Sequence, residues 1–104
     1  MIPQKTVQEL INKHSILEKD LSSGNMDKKI FAEKSKEYSD LNEIIGDAKK
    51  FISFGKEKKD LEKILHDQNT DQELIKMAEK ELEELKIQFE KNEKRLKLFL
   101  LPKD

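Results

Sequence analysis

The sequence predicts an all-α protein: a long antiparallel hairpin of two helices with a shorter amino-terminal helix packed against it. Three observations carry that expectation. Apolar residues recur at steps of three and four along most of the chain, which is the period of a helix seam. Hydrophobic residues make up 35% of the sequence and charged residues 41%, a supply that suits narrow helix–helix seams better than a deep core around a walled pocket. Turn signals are confined to two stretches, Ser22-Ser23-Gly24-Asn25 and His66 to Asn69. At 104 residues the chain reads as one domain, residues 1–104.

The first helix is expected to begin at Thr6, where Thr6 and Glu9 have the spacing of a capping box. Val7, Leu10, His14, Leu17 and Leu21 then form its stripe. His14 lies on the stripe and reads as a histidine at the seam edge with one polar partner rather than as a proton carrier. Gly24 supplies the left-handed conformation that ends a helix.

The second helix is expected to run unbroken from about Asp27, its N-cap with Asn25 as the alternative, to about Leu65, roughly 58 Å at 1.5 Å per residue. Its stripe passes through Phe31, Tyr38, Leu41, Ile45, Ala48 and Ile52, then drifts to Leu61 and Leu65. Gly46 and Gly55 lie inside it, and each costs about 1 kcal/mol relative to alanine. A kink at either glycine, or a break near Gly55 where the stripe changes phase, fits the pattern.

The third helix carries the clearest signal. Ile75, Ala78, Leu82, Leu85, Phe89, Leu96 and Phe99 keep one seam, with Asn92 as the polar member of the series. Thr70 and Glu73 suggest a capping box at its start, and Pro102 stops it near Leu101. The short turn before it makes the two long helices antiparallel neighbours. Residues equidistant from the turn should meet: Ala48 with Phe89, Ile52 with Leu85, Gly55 with Leu82, Tyr38 with Phe99, and Asn92 near Ile45. A lone polar residue in a seam fixes register at some cost in stability. The same folding sets a basic half (Lys49, Lys50, Lys56, Lys58, Lys59, Lys63) beside an acidic half (Asp71, Glu73, Glu79, Glu81, Glu83, Glu84, Glu90). Such pairs orient helices more than they stabilise them.

Composition narrows the function classes. The net charge of −1 steers the chain neither to nucleic acid nor to an anionic membrane. The sequence has no cysteine, which removes disulfides and thiolate metal sites. The amino terminus lacks the apolar run of a signal peptide, and no stretch approaches the roughly 20 apolar residues of a membrane span. A cytoplasmic protein with no membrane partner is the default expectation. No phosphate loop or nucleophile elbow is present. Asp67, Asn69 and Asp71 have the spacing of the first calcium-loop ligands. Gln72 stands where that loop needs glycine and Ala78 where it needs glutamate. No catalytic residue, metal site or cofactor is therefore assigned. The lysines of the second helix could meet RNA phosphates, but Phe51 and Phe54 read as packing residues rather than as a stacking platform.

The run from Glu73 to Leu85, the segment Ser35-Lys36-Glu37-Tyr38-Ser39-Asp40-Leu41, and the ending Leu100-Leu101-Pro102-Lys103-Asp104 together resemble the amino-terminal domain of the bacterial peptide chain release factor 1 family. The resemblance covers essentially the whole chain, and its most specific part is the ending. It implies a ribosome-contacting domain of a translation termination factor that in full length reads UAA and UAG and triggers peptidyl-tRNA hydrolysis. The Gly-Gly-Gln hydrolytic motif and the codon-reading tripeptide of such factors belong to later domains, and neither occurs here, so the piece itself is not expected to be an enzyme. The implied partners are the stalk base of the large ribosomal subunit, near ribosomal protein L11, and the class II release-factor GTPase. Lys59, Lys63, His66 and Asp67, at the hairpin end, are the candidate contact residues. The helical pattern alone also permits a structural or adaptor coiled coil unrelated to translation. Leu98, Leu100 and Leu101 are more apolar than a free helix end needs, so self-association of the 104-residue chain is expected.

Overall fold

A computed structural model describes residues 1–102 as four helices: α1 (Gln4–Ser22), α2 (Lys28–Asn42), α3 (Ile45–His66) and α4 (Gln72–Leu100). Among the described residues there is no strand, and the all-α expectation is met. Lys103 and Asp104, the last two residues of the Leu-Leu-Pro-Lys-Asp ending, lie outside the described residues. The molecule is elongated, 61 × 32 × 19 Å with a radius of gyration of 18.5 Å, against about 13 Å for a compact chain of this length. α3 and α4 form the long hairpin, and α1 packs against α2 and α3 at its open end.

Each helix boundary has a local cause. α1 starts two residues before Thr6, and the expected Thr6–Glu9 capping box does not form. Pro3 is its N-cap, with no side-chain hydrogen bond, and the Pro3 carbonyl accepts from the N–H groups of Thr6 (3.1 Å) and Val7 (3.4 Å). Ile2, 8% exposed, anchors this start in the core. α1 ends as expected, with Gly24 at φ +73°. Asp27 caps α2, accepting from Ile30 N–H at 3.0 Å. Asp71, not Thr70, caps α4, accepting from Glu73 N–H at 3.2 Å. Thr70 is engaged in the turn instead, its N–H donating to Asp67 O at 3.1 Å.

The expected single second helix is two helices. The break falls at Glu43 and Ile44, and α3 runs through both Gly46 and Gly55. Glu43 N–H donates to Asp40 O and Leu41 O, and Ile44 N–H donates to Leu41 O at 3.0 Å. The helix tightens for a turn and then restarts. Ile44, at φ −116° and ψ −8°, stays in the right-handed region, so the bend needs neither glycine nor proline. It places Leu41, Ile44, Ala48 and Phe51 in one buried cluster with Ile2, Val7, Leu17 and Leu96. Phe31, expected on the seam, is 48% exposed beyond the cluster.

His14 behaves as the sequence suggested. It is 9% exposed, its Nε2 meets Asn42 Oδ1 at 2.5 Å, and its ring stacks on Tyr38 with centroids 4.7 Å apart. Asn42 is the last residue of α2, so this pair ties α1 to the bend. Asp20 with Lys34 (2.8 Å) and Lys13 with Glu37 add partly exposed ion pairs between α1 and α2.

The hairpin register differs from the expected one. Phe89 stacks on Phe51 (centroids 5.0 Å) and Phe54 (4.0 Å), three and six residues beyond Ala48. Arg95 Nε donates to Asp47 Oδ2 at 3.0 Å, and Tyr38 stacks on His14 rather than on Phe99. Equidistance from the turn ignores side-chain direction. Helical side chains lean toward their own amino terminus, so a given level is covered by a residue about one position further on. In an antiparallel pair both partners shift the same way in number. The turn itself, Asp67 to Asp71, is also centred later than His66 to Asn69. The expected pairing of basic and acidic halves is not realised as ion pairs either. Among the described residues the α3–α4 pair is Asp47–Arg95, with the acid on α3 and the base on α4.

Candidate functional site

The hairpin tip is built by the last two turns of α3, the turn from Asp67 to Asp71 and the first turn of α4. Lys59, Lys63 and His66 are spaced four and three apart, so they share one face of α3. All three are exposed, as is Asp67. Asp67 is the C-cap of α3, where ψ of 118° takes the chain out of the helix. Its Oδ1 accepts from Asn69 N–H at 2.9 Å, so this carboxylate shapes the turn. Asp71 shapes the restart of α4 in the same way. These roles account for two of the three residues with calcium-loop spacing.

A shallow depression of about 470 Å³ at the tip is lined by Lys63, Asp67, Asn69 and Asp71 together with Ile64, Thr70 and Leu74. The structure therefore brings Lys63 and Asp67 into one surface and leaves Lys59 and His66 outside its lining. Ile64 (39% exposed), Leu74 (52%) and Met77 (59%) add apolar area at this end. Sequence reasoning missed these three as surface residues. The available signal was that each stands off its helix's seam stripe: Leu74 and Met77 immediately precede Ile75 and Ala78, the seam positions.

No His, Cys, Asp or Glu group suited to a metal ion occurs among the described residues. His66 faces solvent in the final turn of α3. What the tip offers is charge and apolar area held about 40 Å from the far end of α4 by a 29-residue helix. No described helix is long and apolar enough to cross a membrane.

Fold and tip thus define a class: an extended all-helical arm whose hairpin tip is exposed to solvent. Comparison with known proteins narrows the class. The PCRF domain family matches residues 10–104. Over 104 residues the chain is 68% identical to peptide chain release factor 1 of Pelagibacter ubique, covering all of this chain and 29% of that protein. It is 39% identical over 103 residues to peptide chain release factor 1 of Wolbachia pipientis, covering 97% of this chain and 28% of that protein. It is 43% identical over 74 residues to peptide chain release factor 1 of Ehrlichia ruminantium, covering 71% and 21%. No solved structure matches the chain. The chain belongs to the peptide chain release factor family, whose PCRF domain it carries. It spans less than a third of the length of these curated relatives and is similar to their amino-terminal part.

Proposed function

We propose that this chain is the ribosome-contacting arm of a translation termination factor. The observation that carries the reading is the 68% identity to a peptide chain release factor 1 across all 104 residues, joined to a fold whose exposed tip stands well away from its core. In full length such a factor reads UAA and UAG and triggers peptidyl-tRNA hydrolysis in the cytoplasm, with the hydrolytic Gly-Gly-Gln motif in a later domain. The tip residues Lys59, Lys63, His66 and Asp67 contact the stalk base of the large ribosomal subunit, near ribosomal protein L11, and the arm takes part in the interplay with the class II release-factor GTPase. The exposed Leu98 (70%) and Leu101 (59%) support self-association of the 104-residue chain.

Cosedimentation with purified ribosomes tests the reading. The chain should pellet with large subunits, and Lys59→Glu with Lys63→Glu should reduce the bound fraction at least about fivefold, since both lysines are exposed and their loss touches charge and not packing. No cosedimentation at low salt would favour an adaptor coiled coil. Unchanged binding of the double variant would remove the tip assignment alone.

A further inference from the structure

One side of the hairpin carries a groove that neither the tip nor the core explains. It consists of two adjoining depressions between α3 and α4, about 450 and 180 Å³, which share Glu57, Leu85 and Gln88 in their linings. Leu61 and Leu85 lie in the outer part, and Phe54 and Phe89 in the inner part. Four carboxylates, Glu57, Asp60, Glu81 and Glu84, rim the outer part, and all are exposed. None of the four enters an ion pair among the described residues. Lys50 stands at the inner end.

Asn92 supplies an independent observation. It is only 6% exposed and lines the inner part of the groove. No side-chain hydrogen bond among the described residues involves it. A buried amide that served only to fix register would need a partner inside the hairpin, because an unpaired polar group in a seam is destabilising. Among the described residues no fully buried side-chain nitrogen or oxygen lacks a partner, so the Asn92 amide keeps access to solvent, and the groove it lines is where that access lies.

We propose that this groove docks a basic amphipathic helix of a protein partner. Apolar residues of that helix would lie over Leu61, Leu85, Phe54 and Phe89, its Lys or Arg side chains would meet the four carboxylates, and one polar group would reach Asn92. From Asp60 to Lys50 the groove follows α3 for about 15 Å, nearly three helical turns. Two antiparallel helices accept a third along such a groove by the packing that joins any helix to its neighbours. The rim decides the partner's charge: four uncompensated carboxylates repel nucleic-acid phosphates and attract a cationic face. The proposal concerns the side of the hairpin and stands apart from any contact made by its tip.

The test is an NMR titration of the ¹⁵N-labelled chain with a capped peptide of Leu, Lys and Ala. The peptide is about 18 residues long, sufficient for a stable helix on binding, with leucines at i, i+3, i+4 and i+7. The resonances of Leu61, Leu85, Gln88 and the Asn92 side-chain amide should shift together, and a Leu/Glu/Ala counterpart should shift none of them. Glu81→Lys with Glu84→Lys should weaken binding at least about tenfold, whereas Glu79→Lys with Glu83→Lys, on the other side of α4, should change it less than about twofold. Asn92→Leu should weaken binding while raising the melting temperature. Equal losses from the two charge pairs would show diffuse attraction and overturn the proposal. So would groove resonances that shift on dilution of the free protein, which would place a second copy there.

Discussion

Phe51→Ala is expected to destabilise the fold by about 3–5 kcal/mol, the range for a fully buried phenylalanine. Phe51 is 2% exposed and sits where three requirements meet. It closes the buried cluster around Val7, Leu41, Ile44 and Leu96, it stacks on Phe89 of α4, and it follows Ala48 at seam spacing on α3. A chain of this size has a total stability of roughly 5–15 kcal/mol, and an elongated fold with little buried volume lies low in that range. The variant should therefore lose roughly 12–40 °C in melting temperature by circular dichroism. Phe31→Ala is the control, because Phe31 is half exposed outside the cluster, and its change should stay within about 1 kcal/mol. Equal effects of the two substitutions would mean that the cluster does not hold the fold.

The second large effect is a gradient of stability along the hairpin. At the open end, α3 is backed by α1 and α2 as well as α4. Beyond Gly55 it has α4 alone, and Ala78 is the buried residue of that outer half. Leu61, Leu65, Leu82 and Leu85 are only partly covered. Opening the outer half exposes little apolar area, so its amides should exchange with solvent through a local event while those near Phe51 and Leu96 wait for global unfolding. Native-state hydrogen exchange should show protection at least about a hundredfold lower at residues 58–64 and 76–83 than around Phe51 and Leu96, a difference of about 2.7 kcal/mol. Uniform protection along α3 and α4 would contradict this picture. A soft outer half fits the contact role proposed for the tip.

The helix seams were legible in the sequence because burial follows period. Val7, His14 and Leu17 of the first stripe are buried, as are Ala78, Asn92 and Leu96 of the last, and the remaining stripe members of both are half covered. The bend at Glu43 and Ile44 was not legible. Leu41, Ile44, Ala48 and Phe51 keep steps of three, four and three across it, and the backbone never leaves the right-handed region, so neither period nor composition marks the break. The register does not follow from distance to the turn, because pairing depends on side-chain direction: Phe89 finds Phe51 and Phe54 through the lean of its side chain. At the tip the charged residues could be read from their position beside the turn. The exposed Ile64, Leu74 and Met77 are legible only through their place one residue before the seam positions Leu65, Ile75 and Ala78.

The role proposed for this chain, as the arm of a termination factor, is best put to the test in a chimera. The chain would replace the matching amino-terminal segment of the peptide chain release factor 1 of Pelagibacter ubique, and peptide release would be measured on purified ribosomes stalled at UAA or UAG. Release should stay within about threefold of the parent, because the two arms share 68% of their residues, and should fall markedly when the segment carries Lys59→Glu with Lys63→Glu. A folded chimera that fails to bind ribosomes or to release peptide would contradict it.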